Sequence, residues 1–169
     1  MRTPGTLWGV TPAIDQLRAA GVAFRVHEYE HTDGAPGGYG AEAASKLGLD
    51  PDQVFKTLLV SYTDGSGRPA QAVAVVPVSG KLALKAMGAA LGTKRIEMCD
   101  PTLAERTTGY VVGGISPFGQ RKPLPTVVDE LATLYDTIFV SAGRRGLDLE
   151  LAPADLIRVL SARVADIAT

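Results

Sequence analysis

A β-strand is predicted by the run Val54-Phe55-Lys56-Thr57-Leu58-Leu59-Val60-Ser61-Tyr62, which is rich in β-branched and aromatic residues. Asp64-Gly65-Ser66-Gly67 follows as a turn, and residues 70–78 return as a second apolar strand. Together these segments predict a hairpin. Because a hairpin joins antiparallel neighbours, the pattern argues against a purely parallel sheet.

Short helices and strands are predicted on both sides of this hairpin. Helices are placed at residues 12–20, 41–47, 81–91 (with Ser79 as its cap), 101–108 and 153–162. Further strands are placed at residues 22–27, 94–98, 110–112, 126–129, 137–141 and 147–151. We therefore predict an α+β (mixed α/β) fold in a single domain over residues 1–169, with residues 1–10 as an N-terminal extension. The mixed sheet is expected to be curved or barrel-like, with short helices around it.

Length and composition predict one folded domain with its own core. The 169 residues are 46% apolar, and no apolar run reaches the roughly 18 residues that a membrane helix needs, so no membrane contact is predicted. The first residues lead into no apolar segment of the kind found in signal peptides. The single cysteine, Cys99, excludes an intramolecular disulfide and fits a reducing compartment, so a cytoplasmic location is predicted.

Charge and residue types limit the classes of ligand. One cysteine and two histidines do not supply a dedicated zinc site, and neither a metal nor a cofactor is predicted. The net charge is −1, whereas proteins that clamp long nucleic acids are usually strongly basic. A nucleic-acid partner must therefore be held locally, or with help from another protein. A local basic patch could comprise Lys81, Lys85, Lys94, Arg95, Arg121, Lys122, Arg144 and Arg145.

Lys56 interrupts the apolar face of the first hairpin strand. At a period of two, it shares that face with Val54, Leu58 and Val60. A buried ammonium is costly unless it is paired or lines a cavity, which would make Lys56 a functional residue. Alternatively, the face is exposed near the strand end and the lysine extends into solvent.

The segment Gly113-Gly114-Ile115-Ser116-Pro117 offers backbone amides. Two glycines let a backbone pass close to a ligand, and such amides could stabilise a developing oxyanion. The alternative is an ordinary tight turn. No Gly-Lys-Ser/Thr ending follows, so this is not a nucleotide P-loop. No Gly-x-Ser-x-Gly elbow occurs either, which argues against a serine hydrolase.

Other polar residues have simpler interpretations. Gly143-Arg144-Arg145-Gly146-Leu147-Asp148 offers arginines for phosphate contact and a carboxylate past the turn. Alternatively, the segment is a solvated hairpin tip with Asp148 pointing outward. His27 and His31 have no metal-binding spacing and are interpreted as surface histidines. Cys99 is interpreted as a packed structural thiol.

Several segments occur together, in the same order, in a known family. They are Thr11-Pro12-Ala13, His27-x-Tyr29-Glu30-His31, Leu47-Gly48-Leu49-x-Pro51-Asp52-Gln53-Val54, Lys56-Thr57-Leu58-Leu59-Val60, Leu91-Gly92-x-Lys94, Glu97-Met98-x-Asp100-Pro101, Thr108-Gly109-Tyr110-x-Val112-Gly113-Gly114-Ile115-Ser116-Pro117 and Val140-Ser141-x-Gly143-x-Arg145-Gly146-Leu147-Asp148. Over residues 11–167 the chain thus resembles the bacterial Cys-tRNA(Pro) deacylases of the YbaK type, the prolyl-tRNA-editing proteins.

The resemblance implies a partly barrel-like mixed sheet and a pocket for the aminoacylated 3′ end of tRNA. The family's essential lysine falls on Lys56, and its pocket glycines fall on Gly113 and Gly114. At the end of the loop, where relatives have phenylalanine, this chain has Tyr39. The remaining implied substrate-binding residues are Tyr29, Thr57, Ile115, Ser116, Pro117, Ser141 and Asp148.

The implied function is editing in trans, which removes cysteine from Cys-tRNA(Pro), with Cys-tRNA(Cys) as a second candidate. In the implied mechanism the substrate's own thiol attacks its ester carbonyl, so no enzyme nucleophile is required. The implied partner is prolyl-tRNA synthetase, in a transient complex. Two alternatives stay open: a deacylase that removes alanine or another small amino acid with water, and a non-catalytic domain that binds tRNA ends or a synthetase.

Overall fold

A computed structural model describes residues 10–169, and most of the predicted N-terminal extension lies outside the described residues. Within this range the helices are α1 (Pro12–Ala19), α2 (Tyr39–Leu47), α3 (Leu84–Leu91), α4 (Pro101–Thr108) and α5 (Pro153–Leu160), with a 3-10 helix at Glu130–Leu134. The strands are β1 (Phe24–Glu28), β2 (Phe55–Thr63), β3 (Pro69–Pro77), β4 (Ile96–Met98), β5 (Thr126–Asp129), β6 (Ile138–Arg144), β7 (Leu147–Leu151) and β8 (Arg163–Ala165).

The strands form two sheets, and both contain antiparallel hairpins. The larger has the order β4-β2-β3-β5-β8 and is mixed, because β3, β5 and β8 run parallel to one another. The smaller has the antiparallel order β1-β7-β6. A parallel bridge between Val54 and Phe139 joins the two sheets at the start of β2. The predictions of a β2–β3 hairpin and of a mixed α+β fold are therefore confirmed.

Apolar side chains from both sheets form the core. The main cluster packs α1 and α5 against the smaller sheet and includes the fully buried Ile14, Leu149 and Leu156. A second cluster packs Met87 of α3 against Val60 and neighbouring residues of the larger sheet. Each fully buried aliphatic side chain contributes about 1.5–3 kcal/mol.

The predicted helix starts at residues 12 and 101 are confirmed, and each follows a side chain that caps the helix. The Thr11 hydroxyl accepts a hydrogen bond from the Ile14 amide at 3.2 Å and donates to the Ala142 carbonyl at 2.6 Å. The Asp100 carboxylate accepts from the Thr102 amide at 2.9 Å at the start of α4. These caps satisfy amides that the first helical turn leaves unpaired.

Two sequence predictions are wrong. Ser79 does not cap α3, which begins at Leu84, because residues 81–83 are extended and pair with residues 167–169 at the end of the chain. Residues 110–112 are not a strand: the Val112 amide donates to the Glu105 carboxylate at 2.7 Å, and the segment runs directly into a turn. Among the described residues, no helix has the length and hydropathy needed to cross a bilayer.

Candidate active site

A cavity of about 420 Å³ lies where the two sheets meet. Its walls come from the beginning of β2, the N-terminus of α2, the loop after α4, and the facing strands β6 and β7. The predicted site residues that line it are Tyr29, Tyr39, Lys56, Thr57, Gly113, Ile115, Ser141 and Asp148. The fold thus brings together residues that are up to 119 positions apart in the chain (148 minus 29). Gly114, Ser116 and Pro117 do not line the cavity.

Lys56 is half-buried in the cavity wall. Further along β2, Leu58 and Val60 pack into the cluster beneath α3, whereas Lys56 emerges from this packing into the cavity. Its ammonium donates a hydrogen bond to the Gly80 carbonyl oxygen at 2.9 Å. Burial lowers the pKa of Lys56 below its ordinary value, and the nearby charge of Lys81 lowers it further. The Lys56 amine is therefore held at a fixed place beside an open volume.

Thr57 presents an unsatisfied hydroxyl. Its Oγ1 is buried, and no hydrogen-bond partner exists for it among residues 10–169. Leaving a buried hydroxyl unpaired costs about 1–3 kcal/mol. Because Thr57 lines the cavity, a bound ligand could supply the missing partner.

Asp148 is a buried carboxyl group directly opposite Ser141 in the β6–β7 pair and opposite His27 in the β1–β7 pair. Only 5% of the residue is exposed, so the interpretation of Asp148 as an outward aspartate is wrong. Burial raises the pKa of Asp148 to about 7. No described residue donates a hydrogen bond to its carboxylate or forms an ion pair with it. Burial, with the nearby Asp148 charge, also raises the pKa of Tyr29 to about 12. A cationic ligand group would satisfy this end of the cavity.

Gly113 and Gly114 have different roles in the loop after α4. The Gly114 amide donates to the Val111 carbonyl at 2.8 Å, and a Cβ on Gly114 would meet the backbone of Arg144 at 3.0 Å. Gly114 is therefore a packing residue. Its amide is already hydrogen-bonded, so the prediction that it stabilises an oxyanion is wrong. Gly113 lines the cavity with a left-handed φ of +89°, and its amide has no acceptor within residues 10–169.

Ser116 and Pro117 also lie outside the cavity, behind its wall. The Ser116 side chain is fully buried and accepts a hydrogen bond from the Phe118 amide at 3.2 Å. Its carbonyl accepts from the side-chain amide of Gln120 at 3.0 Å. Both Ser116 oxygens stabilise the turn that follows Gly113. The resemblance implied that Ser116 and Pro117 contact the substrate, but neither residue reaches the cavity.

Tyr39 is the first residue of α2, and its ring forms part of the cavity wall. The ring packs so closely over Gly113 that a Cβ there would lie 2.6 Å from it. The Arg145 guanidinium lies over the same ring at 4.8 Å from its centroid. The loop before α2 is held by His31, whose imidazole contacts the carboxylates of Glu42 at 2.6 Å and Asp33 at 2.9 Å. These contacts raise the pKa of His31, so this residue is an anchor rather than an isolated surface histidine.

The sequence interpretation missed several features of the cavity. Gly80 orients Lys56 through its carbonyl, and no sequence pattern marks a carbonyl acceptor. Cys99 is buried, as interpreted, but it also lines the cavity beside Met98. Met98 is an exposed apolar residue in the structure, and nothing in the sequence marks it as a cavity residue. No cluster of three potential metal ligands occurs among the described residues.

Comparison with known proteins defines the class of protein. The aminoacyl-tRNA editing domain family matches residues 36–159, and this chain belongs to that family. The cavity residues from Tyr39 to Asp148 all fall within the matched range. The predictions of the family and of aminoacyl-tRNA editing are therefore confirmed.

Individual relatives agree with this membership. A protein of Enterococcus faecalis (strain ATCC 700802 / V583), provisionally named the Cys-tRNA(Pro)/Cys-tRNA(Cys) deacylase EbsC, is 40% identical over 126 residues, covering 75% of this chain and 74% of the relative. The crystal structure of the hypothetical protein APE2540 matches with a TM-score of 0.81 at 25% identity, over 94% of this chain and all of the other. A crystal structure provisionally described as a trans-editing enzyme for prolyl tRNA synthetase has the same fold, with a TM-score of 0.78 at 23% identity over 95% of this chain and 99% of the other.

Proposed function

We propose that this protein deacylates Cys-tRNA(Pro), and that the thiol of the attached cysteine is the nucleophile. The observation that carries the proposal is that the cavity contains a buried carboxylate at Asp148 and a buried hydroxyl at Thr57, neither with a partner among the described residues. An aminoacyl ester offers complementary groups, since it combines a cationic α-amino group with polar oxygen atoms. The provisional name of the relative at 40% identity agrees with this substrate.

Each polar group of the cavity then has a role in binding. The Asp148 carboxylate holds the α-ammonium of the amino acid, because a buried anion favours a cationic partner. The Lys56 ammonium, fixed by the Gly80 carbonyl, attracts the phosphate or ester oxygens of the terminal nucleotide. The Thr57 hydroxyl, which also lines the cavity and lacks a partner among the described residues, donates a hydrogen bond to an oxygen atom of the substrate.

The proposed reaction is an intramolecular acyl transfer. The substrate thiolate attacks its own ester carbonyl, a C–S bond forms, and the bond from the carbonyl carbon to the 3′-oxygen of the tRNA breaks. The leaving oxygen takes up a proton, and water later opens the cyclic thioester to free cysteine. A free thiol has a pKa of about 8.5 and is a strong nucleophile. Holding it against the carbonyl can contribute about 7–11 kcal/mol in ideal cases.

The Gly113 amide is the cavity group that stabilises the oxyanion formed in this reaction. The Gly113 amide has no acceptor among the described residues, and one such donor is typically worth a factor of ~10²–10³ in rate. Among residues 10–169, those that line the cavity include no histidine to act as a general base. The Ser141 hydroxyl accepts from the Gly143 amide at 3.1 Å, and the Cys99 thiol donates to the Asp100 carbonyl at 3.5 Å. This arrangement favours a nucleophile supplied by the substrate.

A deacylation panel tests the proposed function. The rates of ester cleavage are measured for Cys-tRNA(Pro), Ala-tRNA(Pro) and correctly charged Pro-tRNA(Pro), with tRNA binding measured in parallel. We expect cleavage of the cysteine ester alone. Cleavage of the alanine ester at a similar rate would support water as the nucleophile and contradict the proposal. Binding without turnover of any ester would indicate a non-catalytic domain.

We also propose that prolyl-tRNA synthetase supplies the tRNA specificity in a transient complex, and that the protein acts in the cytoplasm. The net charge of −1 supports the synthetase complex, because a protein without excess positive charge binds tRNA weakly on its own. Adding the synthetase should lower the KM for Cys-tRNA(Pro). A KM that does not change with synthetase concentration would contradict the complex.

A further inference from the structure

Arg145 contacts two walls of the cavity at once. Its Nε and Nη2 both donate to the Val112 carbonyl oxygen, at 2.9 and 2.7 Å. Its guanidinium carbon also lies 4.8 Å from the centroid of the Tyr39 ring, in cation–π contact. Val112 is the residue before Gly113, and Tyr39 packs against Gly113. Both contacts of Arg145 therefore converge on the peptide that carries the Gly113 amide.

Other contacts leave Gly113 little freedom. The Val112 amide donates to the Glu105 carboxylate at 2.7 Å, so both polar groups of the Val112 backbone are engaged. On the other side, Gly114 packs against the backbone of Arg144 and Arg145. A left-handed glycine has many accessible conformations, and such contacts select one of them. Arg145 joins the loop after α4 to α2, because its guanidinium contacts both the Val112 carbonyl and the Tyr39 ring.

We propose that Arg145 is a positioning residue that fixes the Gly113 amide and the Tyr39 ring relative to each other, and that it does not bind tRNA phosphate. This inference rests on the proposed function in so far as the Gly113 amide supports the oxyanion. It assigns to Arg145 a role that differs from the phosphate contact predicted from the sequence. The Nε–Nη2 edge of its guanidinium, which a phosphate would otherwise use, donates to the Val112 carbonyl oxygen, and one of its faces lies against the Tyr39 ring.

The two roles predict opposite effects of Arg145→Lys. Lysine keeps the positive charge but is a compact ammonium that cannot reproduce the planar contacts of the guanidinium. If Arg145 positions the loop, Arg145→Lys and Arg145→Ala should both lower kcat by about tenfold or more, as expected when an oxyanion donor is displaced. KM and its salt dependence should stay near those of the unmodified protein.

A phosphate contact would give a different pattern. Arg145→Ala would then raise KM, and the slope of log kcat/KM against log salt would become shallower by about 0.7, the value for one contact to single-stranded nucleic acid. Arg145→Lys would retain most of the activity. Either result would overturn the positioning role. Arg163→Ala is the matched control, because the Arg163 guanidinium also donates to a backbone carbonyl, that of Ala90 at 2.7 Å, outside the cavity.

A spectroscopic measurement separates this inference from the proposed function. The ¹⁵N–¹H resonance of Gly113 should shift in Arg145→Lys while that of Val128, in the larger sheet, stays in place. This result is expected even if no cysteine ester is cleaved, in which case the proposed function fails and the positioning role stands. An unchanged Gly113 resonance in the folded Arg145→Lys protein would overturn the positioning role. If Arg145→Ala does not fold, the lysine variant alone decides the question.

Discussion

The ammonium of Lys56 donates a hydrogen bond to the carbonyl oxygen of Gly80 at 2.9 Å. Gly80 belongs to the segment that precedes α3, and its neighbour Lys81 pairs with Thr169 through both backbone polar groups. A Cβ on Gly80 would lie only 2.8 Å from the Thr169 carbonyl oxygen. The family resemblance implies that Lys56 is essential. The position of its ammonium depends on the packing between residues 80–81 and Thr169.

This relationship predicts that Gly80→Ala lowers activity although no charge is lost. The added methyl group forces the Gly80 backbone away from Thr169 and moves the acceptor of Lys56. We expect kcat/KM to fall by about tenfold in Gly80→Ala and by ~10²–10³ in Lys56→Ala, as when an electrostatic contact to the transition state is removed. The measurement is deacylation of Cys-tRNA(Pro).

Gly65→Ala is the control for the effect of a methyl group. A Cβ at Gly65 meets no atom within 4 Å, so this variant should have full activity. Equal activity of Gly80→Ala and Gly65→Ala would show that the Gly80 carbonyl does not set the position of Lys56.

Asp148→Asn should lower the deacylation activity and raise the free energy of unfolding above pH 7. Because the native pKa of Asp148 is raised from 3.8 to about 7, the unfolded chain releases the proton first as pH rises, and the native state is progressively destabilised between those values. The full effect, present above pH 7, is up to about 4 kcal/mol at 1.36 kcal/mol per pKa unit. The asparagine variant lacks this loss.

Denaturant unfolding at pH 4 and pH 8 checks this prediction. The stability of Asp148→Asn relative to the unmodified protein should increase between the two pH values. Its kcat/KM should fall at least about 30-fold, because removing one partner of a buried charge pair costs about 2–5 kcal/mol. Asp166→Asn changes an exposed carboxylate and should alter neither quantity. A pH-independent stability difference would contradict the raised pKa.

Thr57→Val tests whether the unpaired hydroxyl serves the substrate. Valine has nearly the same shape and removes a buried Oγ1 that lacks a partner among the described residues, so the free energy of unfolding should rise by about 1 kcal/mol. The loss of a hydrogen bond to the substrate should lower kcat/KM by about 5–10-fold. Thr57→Ser retains the hydroxyl and should keep most of the activity. Full activity in Thr57→Val would exclude a substrate contact.

Gly113→Ala tests the close approach of the Tyr39 ring. Gly113 and Gly21 both have left-handed φ angles, +89° and +69°, so alanine at either position carries backbone strain of about 1–2 kcal/mol. A Cβ at Gly113 additionally meets the Tyr39 ring at 2.6 Å, whereas a Cβ at Gly21 meets nothing within 4 Å. We expect Gly113→Ala to lose activity by about 10² or more and to unfold at lower temperature than Gly21→Ala. Similar activity in the two variants would exclude a functional role for the Gly113 backbone.

Local patterns in the sequence predicted much of the fold. The strands at residues 126–129 and 147–151 have their predicted bounds, because each is a short apolar or alternating run between clear turn signals. The helix starts at residues 12 and 101 were predicted correctly, because their caps, Thr11 and Asp100, interact with amides only two or three residues away. The short strand β8 was missed, because it forms only through parallel pairing with β5.

The cavity was predicted less completely than the fold. The strand period and the family resemblance both indicated Lys56, whereas Asp148 was indicated by the resemblance alone; the structure brings both to one cavity. The contact of Lys56 with Gly80, and that of Arg145 with Val112, involve backbone carbonyls, and every residue type has one. Which carbonyl lies near which side chain depends on the tertiary packing of distant segments.

The central claim is that the thiol of the attached cysteine cleaves its own ester in this cavity. The most direct measurement compares the rates at which the protein deacylates Cys-tRNA(Pro) and Ser-tRNA(Pro), two substrates that differ only in sulfur and oxygen. A thiol is far more ionised than a hydroxyl at neutral pH, so we predict rapid cleavage of the cysteine ester and almost none of the serine ester. Equal rates for the two esters would contradict the account.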